Sequence, residues 1–109
     1  MKLNCRRDEL LNAINITSKA VSGKTTMPIL ECLLLTADTN SFKLTANDME
    51  LAIESANIES EIEETGSIAL DARFFSDIIR KINGDIVYIT ADENNSVTIK
   101  CGRSEFKMP

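Results

Sequence analysis

The chain has 109 residues, 43% of them hydrophobic, with 12 Lys/Arg against 17 Asp/Glu and no histidine, a formal net charge of −5. That length suits one domain around one core, and the mixed composition belongs to a globular chain, not a disordered tail. No apolar run approaches the roughly 20 residues that cross a bilayer, and Met1-Lys2-Leu3-Asn4-Cys5 lacks the apolar segment of a secretory signal, so the expectation is a cytoplasmic protein.

Met1 to Cys5 reads as a short strand. "RRDELLNAINITSKAVS" then sets Leu10, Leu11, Ile14, Ser18 and Val21 at helical spacing, with Asp8 and Glu9 near the positive end of the helix. Gly23 stops this helix and Pro28 confirms the break. Three strand-like runs follow, "ILECLLLTAD", "SFKLTAND" and "ELAIESANIES", joined by Thr39-Asn40 and Asn47-Asp48, both turn chemistry. The order then restarts. "GSIAL" is a strand, Asp71 is a helix N-cap, and "ARFFSDIIRKI" is a helix with Phe74, Phe75, Ile78, Ile79 and Ile82 as its apolar stripe, closed by Asn83-Gly84. "DIVYITAD", "SVTIKC" and "SEFKM" are the last three strands.

Both halves thus read strand, helix, strand, strand, strand, and the wording repeats with the pattern. Thr36-Ala37-Asp38 returns as Thr90-Ala91-Asp92, each followed by an Asn-containing turn and an alternating run. The expectation is an α+β domain built from a duplicated β-α-β-β-β unit, about 1–58 and 59–109, with two helices packed on antiparallel sheets. Neither half can bury both its sheet face and its helix stripe alone, so the two share one core.

Cys5, Cys32 and Cys101 are odd in number and far apart, and no Cys-x-x-Cys occurs, so three reduced, partly buried thiols are expected and no zinc site. Asp48 and Glu50 share one side of a strand, but two oxygen ligands without a third group fit an exposed turn better than a metal site. With no histidine, no Gly-rich phosphate loop and no nucleophile elbow, the chain is not read as an enzyme, and no cofactor is expected.

The charge is unevenly spread. The helical segments and their flanks, residues 6–24 and 72–82, hold seven bases (Arg6, Arg7, Lys19, Lys24, Arg73, Arg80, Lys81) against Asp8, Glu9 and Asp77, which leaves five bases and fourteen acids for the strands and loops. Such runs are ordinarily just solvated faces. Arg73 and Arg80, two helical turns apart, nonetheless share a face, and spaced cations without base-reading aromatics suit phosphate contact without sequence readout.

Four collinear motifs are more specific: "MPILECLLL" (family pattern LPIL…LLL), "LTANDME" (LTxxDxE), "ARFFSDIIR" (ARxFxDIxR) and "GRSEFKM" (GRSxFxL). With these, essentially the whole chain resembles the N-terminal domain of the bacterial DNA sliding clamp, the beta subunit of DNA polymerase III. The resemblance implies a non-catalytic processivity factor in DNA replication. In that family three such domains per chain, and two chains head to tail, close a homodimeric ring around double-stranded DNA, helices inside and sheets outside. It implies that Lys24 and Arg73, and more weakly Arg80 and Arg7, touch the DNA backbone. It further implies that Phe106 and Met108 dock on the neighbouring chain, with Arg103 as an ion-pair candidate. DNA polymerase III and the clamp loader would bind through domains outside these 109 residues. Glu105 departs from the basic residues usual beside the interface phenylalanine, which weakens the ionic part of that joint. A stand-alone interaction module using the edge at "SEFKM" is the alternative.

Overall fold

The computed structural model describes residues 1–21, 31–48 and 51–108; the expected break at Gly23 and Pro28 and the position of Lys24 and Glu50 lie outside them. In chain order the elements are β1 (Lys2–Arg6), α1 (Arg7–Thr17) with a single 3₁₀ turn at Ser18–Ala20, β2 (Cys32–Asp38), β3 (Ser41–Asn47), β4 (Ala52–Glu54), β5 (Ser60–Glu64), β6 (Gly66–Asp71), α2 (Ala72–Lys81), β7 (Ile86–Ala91), β8 (Val97–Cys101) and β9 (Ser104–Met108).

α1 buries Leu10, Ala13, Ile14 and Thr17, the i, i+3, i+4, i+7 stripe of an amphipathic helix. It ends sooner than its periodicity suggests, because the buried Thr17 hydroxyl donates back to the Ala13 carbonyl at 2.8 Å and the chain tightens into the 3₁₀ turn. α2 starts where Asp71 places it, its Oδ1 accepting the Phe74 N–H at 2.9 Å. Its buried side is Ala72, Phe75, Ser76, Ile78 and Ile79, continued by Ile82. Phe74, expected in that stripe, is instead 55% exposed. It lies about 100° round the helix from Phe75, past the edge of a face that Ala72 and Ser76 complete on the other side.

The strands form two antiparallel sheets, ordered β5-β1-β7-β8-β9 and β4-β3-β2-β6. The opening strands change places. β1 pairs with β7, Cys5 opposite Val87, while β6 pairs with β2, Leu33 opposite Leu70. The twin stretches of sequence are the β2–β3 and β7–β8 hairpins, one in each sheet. Alternation places Leu33, Leu35 and Ala37 of β2, and Phe42, Leu44 and Ala46 of β3, in the core with Val87, Ile89, Val97 and Ile99 of the other sheet. The helices touch each other; α1 reaches both sheets, and α2 lies against β6.

One expected strand divides. Residues 50–60 read as a single run, but β4 stops at Glu54, and β5 begins at Ser60 on the opposite sheet, beside β1. The reason lies in two side chains. Ser55 Oγ accepts the Leu44 N–H at 3.0 Å and Asn57 Oδ1 accepts the Phe42 N–H at 2.9 Å, so β3 keeps its ladder bonds while the backbone leaves the sheet. β5 then runs through Thr65 into β6, carrying the chain from one sheet to the other. Gly66 makes that corner at φ +149°, where an added Cβ would lie 3.2 Å from Met1 Cβ.

Cys5 and Cys101 are buried and Cys32 partly so; all three are free thiols. Burial, reinforced by the nearby Glu9 charge, pushes the Cys5 thiol up to about 12 from its ordinary 9.0. The unfolded chain releases this proton first, so above pH 9 it binds fewer protons than the folded chain, and stability falls as pH rises towards the folded value. We expect this one thiol to cost up to ~1.4 kcal/mol per pH unit in that window and nothing below it. Denaturant midpoints of the native chain and of Cys5→Ala, compared from pH 8 to 11, test this: their difference should shrink as pH rises, and a constant difference would refute the linkage.

Candidate nucleic-acid interface

The outward side of α2 carries Arg73, Asp77, Arg80 and Lys81, all exposed. The seven-residue spacing of Arg73 and Arg80 sets them on one face two turns apart. Between this face and the end of α1 lies a cleft of about 360 Å³, whose lining includes Ser18, Ser76, Arg73 and Arg80 together with the acids Glu31 and Asp71.

Among the described residues the ion pairs are the N-terminal ammonium with Glu64, Lys2 with Glu63, Arg6 with Asp8, Lys43 with Glu54 and Lys107 with Glu105. The strand lysines 2, 43 and 107 are therefore partly neutralised, and Arg6, hydrogen-bonded to Asp8, holds that carboxyl below its usual range. Arg73, Arg80, Lys19 and Lys81 enter none of these pairs, and neither do Lys100 of β8 and Arg103 after it. The helix side thus carries uncompensated cations on a molecule of negative net charge.

Arg7 is a different kind of residue. From the first turn of α1 its Nε donates to the Ile79 carbonyl and its Nη2 to the Arg80 carbonyl, both at 2.8 Å. These are the carbonyls that a helix end leaves without intrahelical partners, and a cation there also meets the negative end of the helix dipole. The Arg7 N–H is tied as well, to the Asp85 carbonyl at 2.8 Å. Arg7 caps α2 and pins the start of one helix to the end of the other. Only its remaining N–H groups are left for anything outside.

The edge β9 gives a divided answer. Phe106 stands opposite Ile99 and Met108 opposite Val97, so both face the core side of the sheet. Met108 is only 8% exposed and belongs to the chain's own core, whereas Phe106, nearer the middle of the edge, is 37% exposed. The expectation that both await a partner therefore narrows to Phe106. Arg103 is exposed in the β8–β9 turn, and Glu105 lies 4.0 Å from Lys107 of its own strand. Asp48 serves a turn, its Oδ1 accepting the Leu51 N–H at 2.6 Å, and among the described residues no three His, Cys, Asp or Glu gather as metal ligands.

Asn15 was not singled out by sequence. It is exposed on α1, and its Oδ1 accepts from Arg80 Nη2 at 2.9 Å across 65 residues of chain. No local pattern signals such a contact.

A family model described as DNA polymerase III beta subunit, N-terminal domain, matches residues 1–109. Beta sliding clamps of Staphylococcus epidermidis and Staphylococcus aureus are 38% and 36% identical over 115 residues, in alignments that take in 99% of this chain and 30% of each relative. Among solved structures, a DNA polymerase III beta subunit from Eubacterium rectale superposes with a TM-score of 0.95 at 49% identity, over 99% of this chain and 29% of that one. The DNA polymerase sliding clamp of Bacillus subtilis gives 0.92 at 34% identity, over 98% and 30%. The chain spans less than a third of the length of these relatives.

Removing each arginine separates their roles. Arg7→Ala strips two helix-end carbonyls of a charged donor and should destabilise the fold by about 1–3 kcal/mol. Arg73→Ala, on an open surface, should stay within about 0.5 kcal/mol. Arg7→Lys keeps the charge but not the forked donation, and should recover only part of the loss. Chemical denaturation of the three variants decides it; an Arg7→Ala midpoint as unmoved as that of Arg73→Ala would remove the capping role.

Proposed function

Because this chain belongs to the DNA polymerase III beta subunit N-terminal domain family, we propose that it is the first domain of a ring-shaped clamp that encircles duplex DNA and keeps the replicative polymerase on it. The domain does no bond chemistry. It supplies a part of the wall of the hole and one side of a ring joint. Its 109 residues are read as two copies of one strand–helix–strand–strand–strand unit, and its place of work as the cytoplasm. The polymerase and clamp loader engage parts of the full-length protein outside these residues.

The observation that carries this reading is the sorting of charge by structural layer. Exposed helix cations stand unpaired while acids crowd the strands and loops. A closed ring stays on DNA by enclosure, so its wall needs attraction without grip: each neutralised phosphate contributes a slope of about −0.9 in log affinity against log salt, and a handful gives binding that slides and lets go. Lys24, Arg73 and Arg80 are the backbone-contacting residues in this reading, and Arg7 contributes mainly by holding α2 in place. On β9, Phe106 is the apolar anchor of the joint between two chains and Arg103 its ionic flank, while Met108 supports the strand from beneath.

Two outcomes are expected. The 109-residue chain alone should bind duplex DNA feebly, without sequence preference, and lose it near physiological salt; in the full-length protein Lys24→Ala and Arg73→Ala should cut retention on circular DNA with the thermal midpoint barely moved. Salt-resistant or sequence-selective binding by the isolated chain would sink the proposal. At the joint, Phe106→Ser should weaken the full-length dimer by up to about tenfold, since only the exposed third of the phenyl ring is left for a partner to cover, on the order of 1 kcal/mol. Met108→Ser should act otherwise, lowering the stability of the domain itself by about 2–5 kcal/mol. Sedimentation equilibrium together with thermal melts distinguishes the pair; an undiminished Phe106→Ser dimer would place the joint elsewhere.

A further inference from the structure

We infer that Asn15 is a positioning residue for Arg80, holding its guanidinium at the mouth of the inter-helix cleft by a neutral oxygen so that its full charge stays available to a phosphate. The inference rests on the helix side being the DNA-facing surface.

Arg80 has competing partners. Glu31 and Asp71 line the same cleft, and Asp77 lies three residues before it on α2. An arginine paired with one of these carboxylates would be neutralised, and a neutralised arginine neither attracts phosphate nor releases counterions. Arg80 forms an ion pair with none of the three; its Nη2 is held instead by Asn15 Oδ1 at 2.9 Å. Asp71 is itself committed, its Oδ1 occupied by the Phe74 N–H at 2.9 Å. The residue type at position 15 matters for this reason. An aspartate would bind Arg80 more strongly through a charge-assisted bond but cancel its charge. An alanine would keep the charge and lose the hold. Only an uncharged acceptor gives both. Arg7 fixes the other end of the arrangement by capping α2 at the Arg80 carbonyl, so the backbone and the side chain of Arg80 are each tied to α1.

The test is a double-mutant cycle on this 109-residue chain with a fluorescent 20-base-pair duplex at low ionic strength, using the native chain, Asn15→Ala, Arg80→Ala, the double variant and Asn15→Asp, with thermal midpoints measured throughout. Arg80→Ala should weaken binding and lower the salt slope by about 0.9. Asn15→Ala should weaken binding by about two- to fivefold with the slope unchanged, and should add nothing in the Arg80→Ala background. Asn15→Asp should lower the slope as Arg80→Ala does, with a melting temperature at least as high as that of the native chain. A merely structural Asn15 would shift the midpoint and leave the Asn15→Asp slope alone. If Arg80→Ala weakens binding and Asn15→Ala does not, or if Asn15→Ala is equally harmful without Arg80, the inference falls and the DNA reading survives. If Arg80→Ala is silent, Arg80 leaves the DNA-contacting set and the inference goes with it. If the native chain shows no binding even at low salt, both readings fail.

Discussion

The pairing of β1 with β7 and of β6 with β2 is the constraint on which the rest of this domain depends. Each half of the chain contributes a three-stranded meander and a helix, too little to bury its own apolar surface. By lending its opening strand to the other half's meander, each half becomes part of both sheets. Neither sheet is complete without a strand from the other half of the chain. The core that results is single: Leu3 and Leu10 from the start of the chain are in the same buried cluster as Ile99 and Met108 from its end.

This exchange also sets where the helices lie. α1 follows β1 and α2 follows β6 directly, so strands in different sheets launch helices that come to rest against each other. Arg7 fastens the pair by satisfying the carbonyls at the end of α2. With the inner faces of both helices in the core, the polar side of α2 leaves Arg73, Arg80 and Lys81 exposed. On the strands, Lys2 and Lys43 are paired with glutamates, while Lys100 is not.

The edges of the two sheets are handled differently. At β4 the chain abandons the sheet after three residues, and Ser55 and Asn57 side chains finish the ladder bonds of β3. At β9 five residues run to Met108 along the last strand of the sheet, unpaired on its outer side among the described residues, with Phe106 about a third exposed. A full-length, partly apolar edge favours association.

Much of the local structure was legible in the sequence because its causes are local. Alternation after the turns marked β3 and β8, apolar runs bounded by turn residues marked β2 and β7, the i, i+3, i+4 stripe marked both helices, and Asp71 announced the start of α2 with a side chain that reaches only three residues ahead. The repeated Thr-Ala-Asp wording falls on the β2–β3 and β7–β8 hairpins, and four spaced motifs pointed to the family. What remained hidden depends on residues that meet only after folding. The split of residues 50–60 between two sheets is decided by Ser55 and Asn57 answering strand β3. The exposure of Phe74 follows from how far Ala72 and Ser76 extend the buried face of α2, and the burial of Met108 from its register with Val97. Arg7 reads as one more surface cation until the end of α2, 72 residues on, arrives to be capped; Asn15 reads as nothing at all until Arg80 reaches it. Sequence determines which residues alternate, cap and turn, since those effects act within a few bonds. Which charges are neutralised and which are left free is a matter of distance in space, and only the packed fold sets it.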